Sequence, residues 1–166
     1  MNNSPEKLNR SIRWILTFFI AGLVLSGLTA LPIEWQLQLA HEQIKDWDGD
    51  VWLVQWLEFV YQGVKETNSK YPFISYGTDW LAFAHFIMAL VFIGPWRDPI
   101  KNIWVIEFGI LACVLIFPFS LIAGAVRGIP LYWRMIDCSF GIFGGLLLLI
   151  CYYKVKKLQN TFEIVR

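Results

Sequence analysis

Apolar residues along this chain are gathered into four long blocks separated by short polar segments. The blocks cover about residues 12–30, 74–96, 103–126 and 135–153. An α-helix rises about 1.5 Å per residue, so about 20 residues cross a hydrocarbon core about 30 Å thick. Because each block reaches roughly that length, the pattern predicts four transmembrane helices.

The first block ends in SGLTA, whose small residues resemble a signal-peptide cleavage site. The apolar stretch before it is longer than the roughly 7–15 residues that a signal peptide uses. We therefore expect a retained first span.

The connection over residues 33–73 carries two amphipathic segments. In the first segment, apolar residues recur at helical spacing, namely Leu37, Ala40, Ile44 and Trp47. The stretch DWDGD breaks this pattern, and Asp50 is placed to cap the next helix. The second segment, VWLVQWLEFVYQGVKE, has a narrow polar stripe on an apolar and aromatic surface. We predict two surface helices, of which at least the second lies in the membrane interface or packs over the bundle.

Composition agrees with a membrane class. Hydrophobic residues make up 57% of the chain and charged residues 16%, against about 25% charged in ordinary soluble domains. The net charge of +1 offers no general attraction for nucleic acid. The prediction is an all-α integral membrane protein, a four-transmembrane-helix bundle with an amphipathic helical cap, forming a single domain over residues 1–166.

Lysine and arginine are unevenly distributed between the two sides of this predicted bundle. Nine of the 14 lie in the N-terminal tail, the 97–102 turn and the C-terminal tail. Because cytoplasmic segments carry the excess of Lys and Arg, both termini are predicted to be cytoplasmic. The expected location is a bacterial inner membrane, and Arg127 and Arg134 then lie on its outer side.

Small and polar residues form one stripe on each of the last three spans. The stripes are Ser75, Thr78, Asp79, Ala82, His85 and Ala89; Gly109, Cys113, Ser120, Gly124 and Arg127; and Arg134, Asp137, Cys138, Gly141, Gly144, Gly145 and Leu148. Such residues in spans usually face protein or a water-filled cavity. We therefore expect the stripes to meet and to bring Asp79, Arg127, Arg134 and Asp137 together at the outer end.

This cluster has two interpretations. In the first, Arg127, Arg134 and Tyr132 hold an anionic lipid headgroup or another small anion, because arginine presents paired donors to phosphate or carboxylate. Asp79 and Asp137 then orient the arginines. In the second interpretation the charges are structural clamps, with Arg134 paired to Asp137 three residues away and Arg127 paired to Asp79.

His85 lies on the same stripe as Asp79 and also allows more than one role. It is a buried histidine bonded near Thr78 or Asp79, or it acts with Asp79 as an acid/base in chemistry at a lipid phosphate. A third alternative is a b-type haem protein, with His85 and His41 as the iron ligands.

No familiar motif names a reaction, a cofactor or a metal, so whether the chain is an enzyme stays open. HEQIK has Lys45 where a zinc-protease motif needs its second histidine. Asp46, Asp48 and Asp50 lack the glycine spacing of an EF-hand loop. We expect no metal site, and we expect the three cysteines to be buried thiols without a disulfide.

The other class of function is an accessory or assembly subunit of a larger membrane complex. In this interpretation the aromatic outer helices and the small-residue faces dock a partner. The glycine face of the fourth span, Gly141 to Gly145, would also suit assembly of several copies of the chain.

Overall fold

The protein is all-helical in a computed structural model that describes residues 4–44 and 52–164. Within those ranges no β-strand is present. The α-helices are α1 (Pro5–Leu28), α2 (Ile33–Ile44), α3 (Trp52–Lys70), α4 (Tyr76–Val91), α5 (Ile93–Arg97), α6 (Ile103–Val126) and α7 (Leu131–Ile164), with a 3-10 turn at Pro72–Ile74 before α4. The predicted break at residues 46–50, which contains Trp47 and the predicted cap Asp50 of the next helix, lies outside the described residues.

Four helical segments are long and apolar enough to cross a membrane, as the hydrophobic pattern predicts. They are Pro5–Leu28, Pro72–Arg97, Ile103–Val126 and Leu131–Phe162. The first and last extend beyond their predicted limits, because lysine, arginine and glutamine are good helix formers and continue a helix past its apolar part. The 34 residues of α7 rise about 50 Å, which is more than a hydrocarbon core requires.

Large apolar side chains are exposed along these segments. Phe119 is 75% exposed, Val126 81% and Phe143 68%. A soluble monomer rarely exposes a continuous apolar surface of this kind, whereas lipid-facing helices do. The exposure therefore agrees with the length and hydropathy of the segments.

The chain divides into two compact units. The first comprises residues 1–21 and 89–166, and the second comprises residues 22–88.

In the first unit, α6 and α7 pack against each other through small residues. A Cβ added at Gly141 would lie 2.7 Å from the carbonyl oxygen of Cys113, and one at Gly109 would lie 2.6 Å from Leu148. Contacts between residues early in α6 and late in α7 make the pair antiparallel. The predicted stripes of the third and fourth spans thus face each other. The glycine face of α7 is occupied by α6 at Gly141, which argues against its use for self-assembly.

The N-terminal part of α1 completes the core of this unit. Ile12 and Leu16 are fully buried, and Lys154 Nζ donates a hydrogen bond of 2.8 Å to Ser11 Oγ. The rings of Phe19 and Phe92 lie 4.6 Å apart. The three cysteines, Cys113, Cys138 and Cys151, are buried free thiols, as predicted.

The second unit contains the two predicted surface helices, α2 and α3, as an antiparallel pair. Asn68 Nδ2 donates to Glu34 Oε2 at 2.6 Å, and His41 Nε2 lies 2.5 Å from Glu58 Oε2. In the same unit α1 approaches α4, where Gly27 faces the Phe86 ring and the backbone of Ala82. In this unit, polar side chains therefore connect α2 to α3, and a small residue allows α1 to pack against α4.

Candidate anion site at the turn between α6 and α7

A short turn connects α6 to α7 and carries the first of the two predicted arginines. Arg127 is the C-cap residue of α6, and its backbone N–H bonds back to the carbonyl of Ala123. Gly128 follows with φ of 69°, in the left-handed region that favours glycine. Pro130 then precedes α7, where its ring cannot interrupt the hydrogen bonds of the new helix. This local chemistry places Arg127 and Arg134 at one end of the helix pair.

Arg134 lies across the surface of α6. Its Nη1 donates a 3.1 Å hydrogen bond to the carbonyl of Leu121. The stem of the side chain passes over Gly124, where an added Cβ would lie 2.5 Å from Arg134 Cδ and 2.7 Å from Cγ. The sequence pattern placed Gly124 on the small-residue face but missed that it seats this arginine. The available signal was a glycine on α6 at the level of an arginine on the neighbouring helix.

The Nε atom of Arg134 is buried and has no hydrogen-bond partner. Within the described part of the chain, Arg134 also forms no ion pair. Burying a charged donor without a partner is costly, because the N–H loses its bond to water and gains none in return. This site therefore presents an unused donor on a guanidinium whose charge is not neutralised by a neighbouring carboxylate.

Asp137 does not pair with Arg134, although the two are three residues apart on α7. Their predicted ion pair is wrong, because the guanidinium turns towards α6 instead of along its own helix. The Asp137 carboxyl is in hydrogen-bonding reach of the Ser120 hydroxyl. That hydroxyl also lies 3.1 Å from the carbonyl of Arg134. Asp137 thus faces α6 and forms no ion pair with Arg134.

Arg127 and Tyr132 flank the same turn. The Arg127 side chain is exposed, and Tyr132 is half-buried in the first turn of α7. No ion pair involves Arg127 among the residues with described structure. The structure therefore brings Arg127, Tyr132, Arg134 and Asp137 to one end of the α6–α7 pair.

Asp79 and His85 belong to the second unit, so their convergence on the arginines stays a prediction. His85 Nδ1 lies 2.8 Å from the carbonyl of Leu81, which can only accept a hydrogen bond, so Nδ1 is the donor in this contact. The expected partners Thr78 and Asp79 are not used: the Thr78 hydroxyl donates to the carbonyl of Ser75.

Asp79 lines an open cavity of about 230 Å³ together with three aromatic residues. They are Tyr76, Trp80 and Phe83. The Tyr76 and Trp80 rings meet edge to face with centroids 6.0 Å apart. Since all of these residues lie on α4, the cavity is a groove along one helix, and no basic side chain lines it.

The geometry of His41 argues against the two-histidine haem alternative. Its Nε2 lies 2.5 Å from the Glu58 carboxylate, and its ring stacks on Tyr61 with centroids 4.8 Å apart. One of the two ring nitrogens that could bind iron, Nε2, thus already has a partner. Among the described residues, no group of three or more His, Cys, Asp or Glu side chains forms a candidate metal site.

Fold and site together define a class: an all-helical protein with four helices able to cross a membrane, and an arginine-rich helix turn. In comparisons with known protein families, with curated proteins and with solved structures, no match to this chain is found. Functional inference therefore depends on the chemistry of the site itself.

Proposed function

We propose that this chain is an integral membrane protein that binds an anionic lipid headgroup, or another small anion, at the turn between α6 and α7. The observation that carries the proposal is the guanidinium of Arg134, which is half-buried, has no ion pair in the described structure, and has an unpartnered Nε. A phosphate or carboxylate oxygen would supply the missing acceptor and the missing charge at once.

The remaining donors of Arg134 have the right arrangement for such a ligand. Because Nη1 is held by the Leu121 carbonyl, the other edge of the planar group consists of Nη2 and the buried, unpartnered Nε. These two donors point in the same direction and suit two oxygens of one phosphate or carboxylate. Exposed Arg127 adds a second positive charge, and Tyr132 adds a hydroxyl.

The acids and the histidine have secondary roles in this proposal. Asp137 adds negative charge near the turn without pairing with Arg134, and Asp79, if the two units bring it near, orients the arginines without neutralising both. His85 and Asp79 are the candidates for acid/base work, should the bound phosphate be cleaved or transferred. The site then faces the non-cytoplasmic side of a bacterial inner membrane, with both termini in the cytoplasm.

A second candidate function is that of an accessory subunit in a larger membrane complex. Exposed aromatic side chains on the two surface helices favour it: Trp35 is 57% exposed, Trp52 52% and Phe59 69%. Such side chains suit either the membrane interface or a protein partner. A membrane protein recovered with this chain in fixed stoichiometry from mild detergent would support this function.

Native mass spectrometry of the protein extracted in mild detergent tests the anion site. The wild type should carry a bound lipid or anion, whose mass identifies it, and the folded Arg127→Gln/Arg134→Gln variant should lack it. The control is Lys101→Gln/Lys157→Gln, which removes the same charge from two exposed residues elsewhere in the unit. If the arginine variant retains as many adducts as the wild type, or if the control loses as many as the arginine variant, the proposal is contradicted.

Two finer variants separate charge from geometry. Arg134→Lys keeps the positive charge but lacks the paired planar donors, so the affinity should fall about tenfold, as expected for one lost charge-assisted hydrogen bond. Gly124→Ala retains Arg134 in the sequence but displaces its side-chain stem from α6, and it should also weaken binding. If both variants bind as the wild type does, the bond between Arg134 and the ligand is absent.

A further inference from the structure

A second cavity, of about 510 Å³, opens at the other end of the first unit, near the start of α1. Its lining includes Glu6, Asn9, Arg10, Arg13 and Thr17 of α1, and Trp96 of α5. This end lies beside the start of α6, whereas the proposed anion site lies at the end of α6, about 36 Å away along a helix of 24 residues. The two places are therefore distinct.

One wall of the cavity is held rigid by a closed set of contacts. Trp96 Nε1 donates to Thr17 Oγ1 at 3.0 Å, and that hydroxyl donates to the carbonyl of Arg13 at 2.8 Å. The Arg13 guanidinium in turn lies over the Trp96 ring, 5.0 Å from its centroid. Tryptophan and arginine thus hold each other in place, and the positive charge of Arg13 stays at the cavity wall.

The polar groups that line the cavity favour a ligand that carries a hydrogen-bond donor as well as a negative charge. Asn9 Oδ1 is buried and accepts no hydrogen bond, so it calls for a donor. Arg10 and Arg13 have no carboxylate partner in the described part of the chain, so they call for an anion. Glu6 lines the same space and favours a donor, not a second anion, on its side.

We infer that this cavity binds the headgroup of a phosphodiester lipid that carries a hydrogen-bond donor beyond its phosphate. The phosphate contacts Arg10 and Arg13, and the donor contacts Asn9 Oδ1 and Glu6. The position suits a lipid, because Trp14 also lines the cavity and the apolar part of the first span begins at Ile12. The acyl chains can therefore continue along α1 while the headgroup stays at the level of the tryptophans.

Two headgroups have this chemistry, and they differ in the donor. Phosphatidylethanolamine carries an ammonium, which Glu6 would favour, and phosphatidylglycerol carries hydroxyls on a net anionic lipid, which the two arginines would favour. Phosphatidylcholine is the matched control, because its quaternary ammonium has the phosphate but no N–H or O–H donor. Preference for either of the first two lipids over phosphatidylcholine is the signature of the site.

The test is a native mass spectrometry titration of the full chain in mild detergent with these three lipids, all carrying the same acyl chains. One or both donor-bearing lipids should bind about tenfold more tightly than phosphatidylcholine, as one satisfied hydrogen bond to a buried group predicts. Asn9→Leu should reduce this preference to the part that Glu6 supplies, while leaving the binding of phosphatidylcholine unchanged. Equal affinity of the wild type for all three lipids would overturn the inference.

A matched pair of charge variants isolates the arginines. Arg10→Gln should weaken the donor-bearing lipid about tenfold, whereas Lys7→Gln, an equal charge change on an exposed residue outside the cavity lining, should change it less than twofold. Equal losses in the two variants would mean nonspecific attraction and would overturn the site. The Arg127→Gln/Arg134→Gln variant should retain this lipid, so failure at one site is distinguishable from failure at the other.

Discussion

The helix pairs α6–α7 and α2–α3 are both antiparallel, yet different chemistry holds them together. Along most of the α6–α7 pair the contacts are made by small residues, with Gly141 against the backbone of Cys113, and the side-chain hydrogen bonds lie only at the end with Ser120 and Arg134. Between α2 and α3 the links are polar side chains, Asn68 to Glu34 and His41 to Glu58. The α6–α7 contact requires that no bulky side chain separate the two backbones. The α2–α3 contact requires hydrogen-bonding side chains on both helices.

This difference agrees with the surroundings that the hydrophobic pattern predicts for each pair. In lipid there is little hydrophobic drive between helices, so close backbone approach and dispersion contacts must hold them. Helices at a water-exposed or interfacial surface can use hydrogen bonds and ring stacking, because water solvates the remaining polar edges. Added volume should therefore damage α6–α7, whereas lost hydrogen bonds should damage α2–α3.

The largest expected effect comes from adding one methyl group at Gly141. Gly141→Ala should lower the free energy of unfolding by about 2 kcal/mol, since the new Cβ meets a backbone oxygen that cannot rotate away. Gly145→Ala, one turn further along α7, is the matched control, because its Cβ would meet the Cys113 Cβ at an ordinary 3.5 Å. Thermal unfolding in detergent, followed by circular dichroism, measures both.

The Gly145→Ala protein should be as stable as the wild type or slightly more stable, because alanine favours a helix over glycine by about 1 kcal/mol. Equal losses at the two positions would show that the pair tolerates no extra volume anywhere along α7. Two unchanged melting temperatures would show that α6 and α7 are not held by this contact.

A smaller and more local effect is expected from Asn68→Ala. Asn68 bonds Glu34 and is also contacted by the Ser75 hydroxyl, so its loss leaves a part-buried carboxylate without its donor. We expect α2–α3 to open more easily by about 1.5 kcal/mol, which corresponds to roughly tenfold faster amide hydrogen exchange in α2.

Ser69→Ala is the control for that experiment, because Ser69 is the exposed neighbour of Asn68 on α3. The exchange of α6 and α7 should be the same in both variants. Faster exchange throughout the chain would contradict the view that the polar links act within their own helix pair.

Much of the α6–α7 arrangement could be predicted from residue spacing. Small residues recur at helical intervals on both helices, and that period alone places Gly109, Cys113 and Gly141 on facing surfaces. The direction of Arg134 could not be predicted in the same way. Spacing allowed an ion pair with Asp137, but the choice between that carboxylate and the Leu121 carbonyl depends on the open surface at Gly124.

Contacts between residues far apart along the chain could not be predicted from the sequence. The Trp96 indole bonds to Thr17, 79 residues earlier, and no helical period in the sequence indicates that bond. Likewise, Asn9 stands out only because its Oδ1 lacks a partner in three dimensions. The spacing of small and charged residues therefore predicts which face of a helix packs or binds. The residues that contact each other across the fold can be identified only from the structure.

The smallest expected effect is at the other polar link of α2–α3. Glu58 is 43% exposed and His41 23% in their side chains, so solvent screens their pairing, which is expected to contribute about 0.5 kcal/mol when the imidazole is protonated. Glu58→Gln keeps an oxygen that can accept the imidazole N–H but removes the charge. Hydrogen exchange of α2 should therefore accelerate about twofold at low salt and hardly at all at high salt, because salt screens only the charged part of the interaction.

The control is Glu66→Gln, at an exposed glutamate on the same helix, which should show neither change. If the effect of Glu58→Gln instead equals that of Asn68→Ala and does not depend on salt, the His41 link acts as a buried hydrogen bond, and the polar pair is as dependent on exclusion of water as the apolar one.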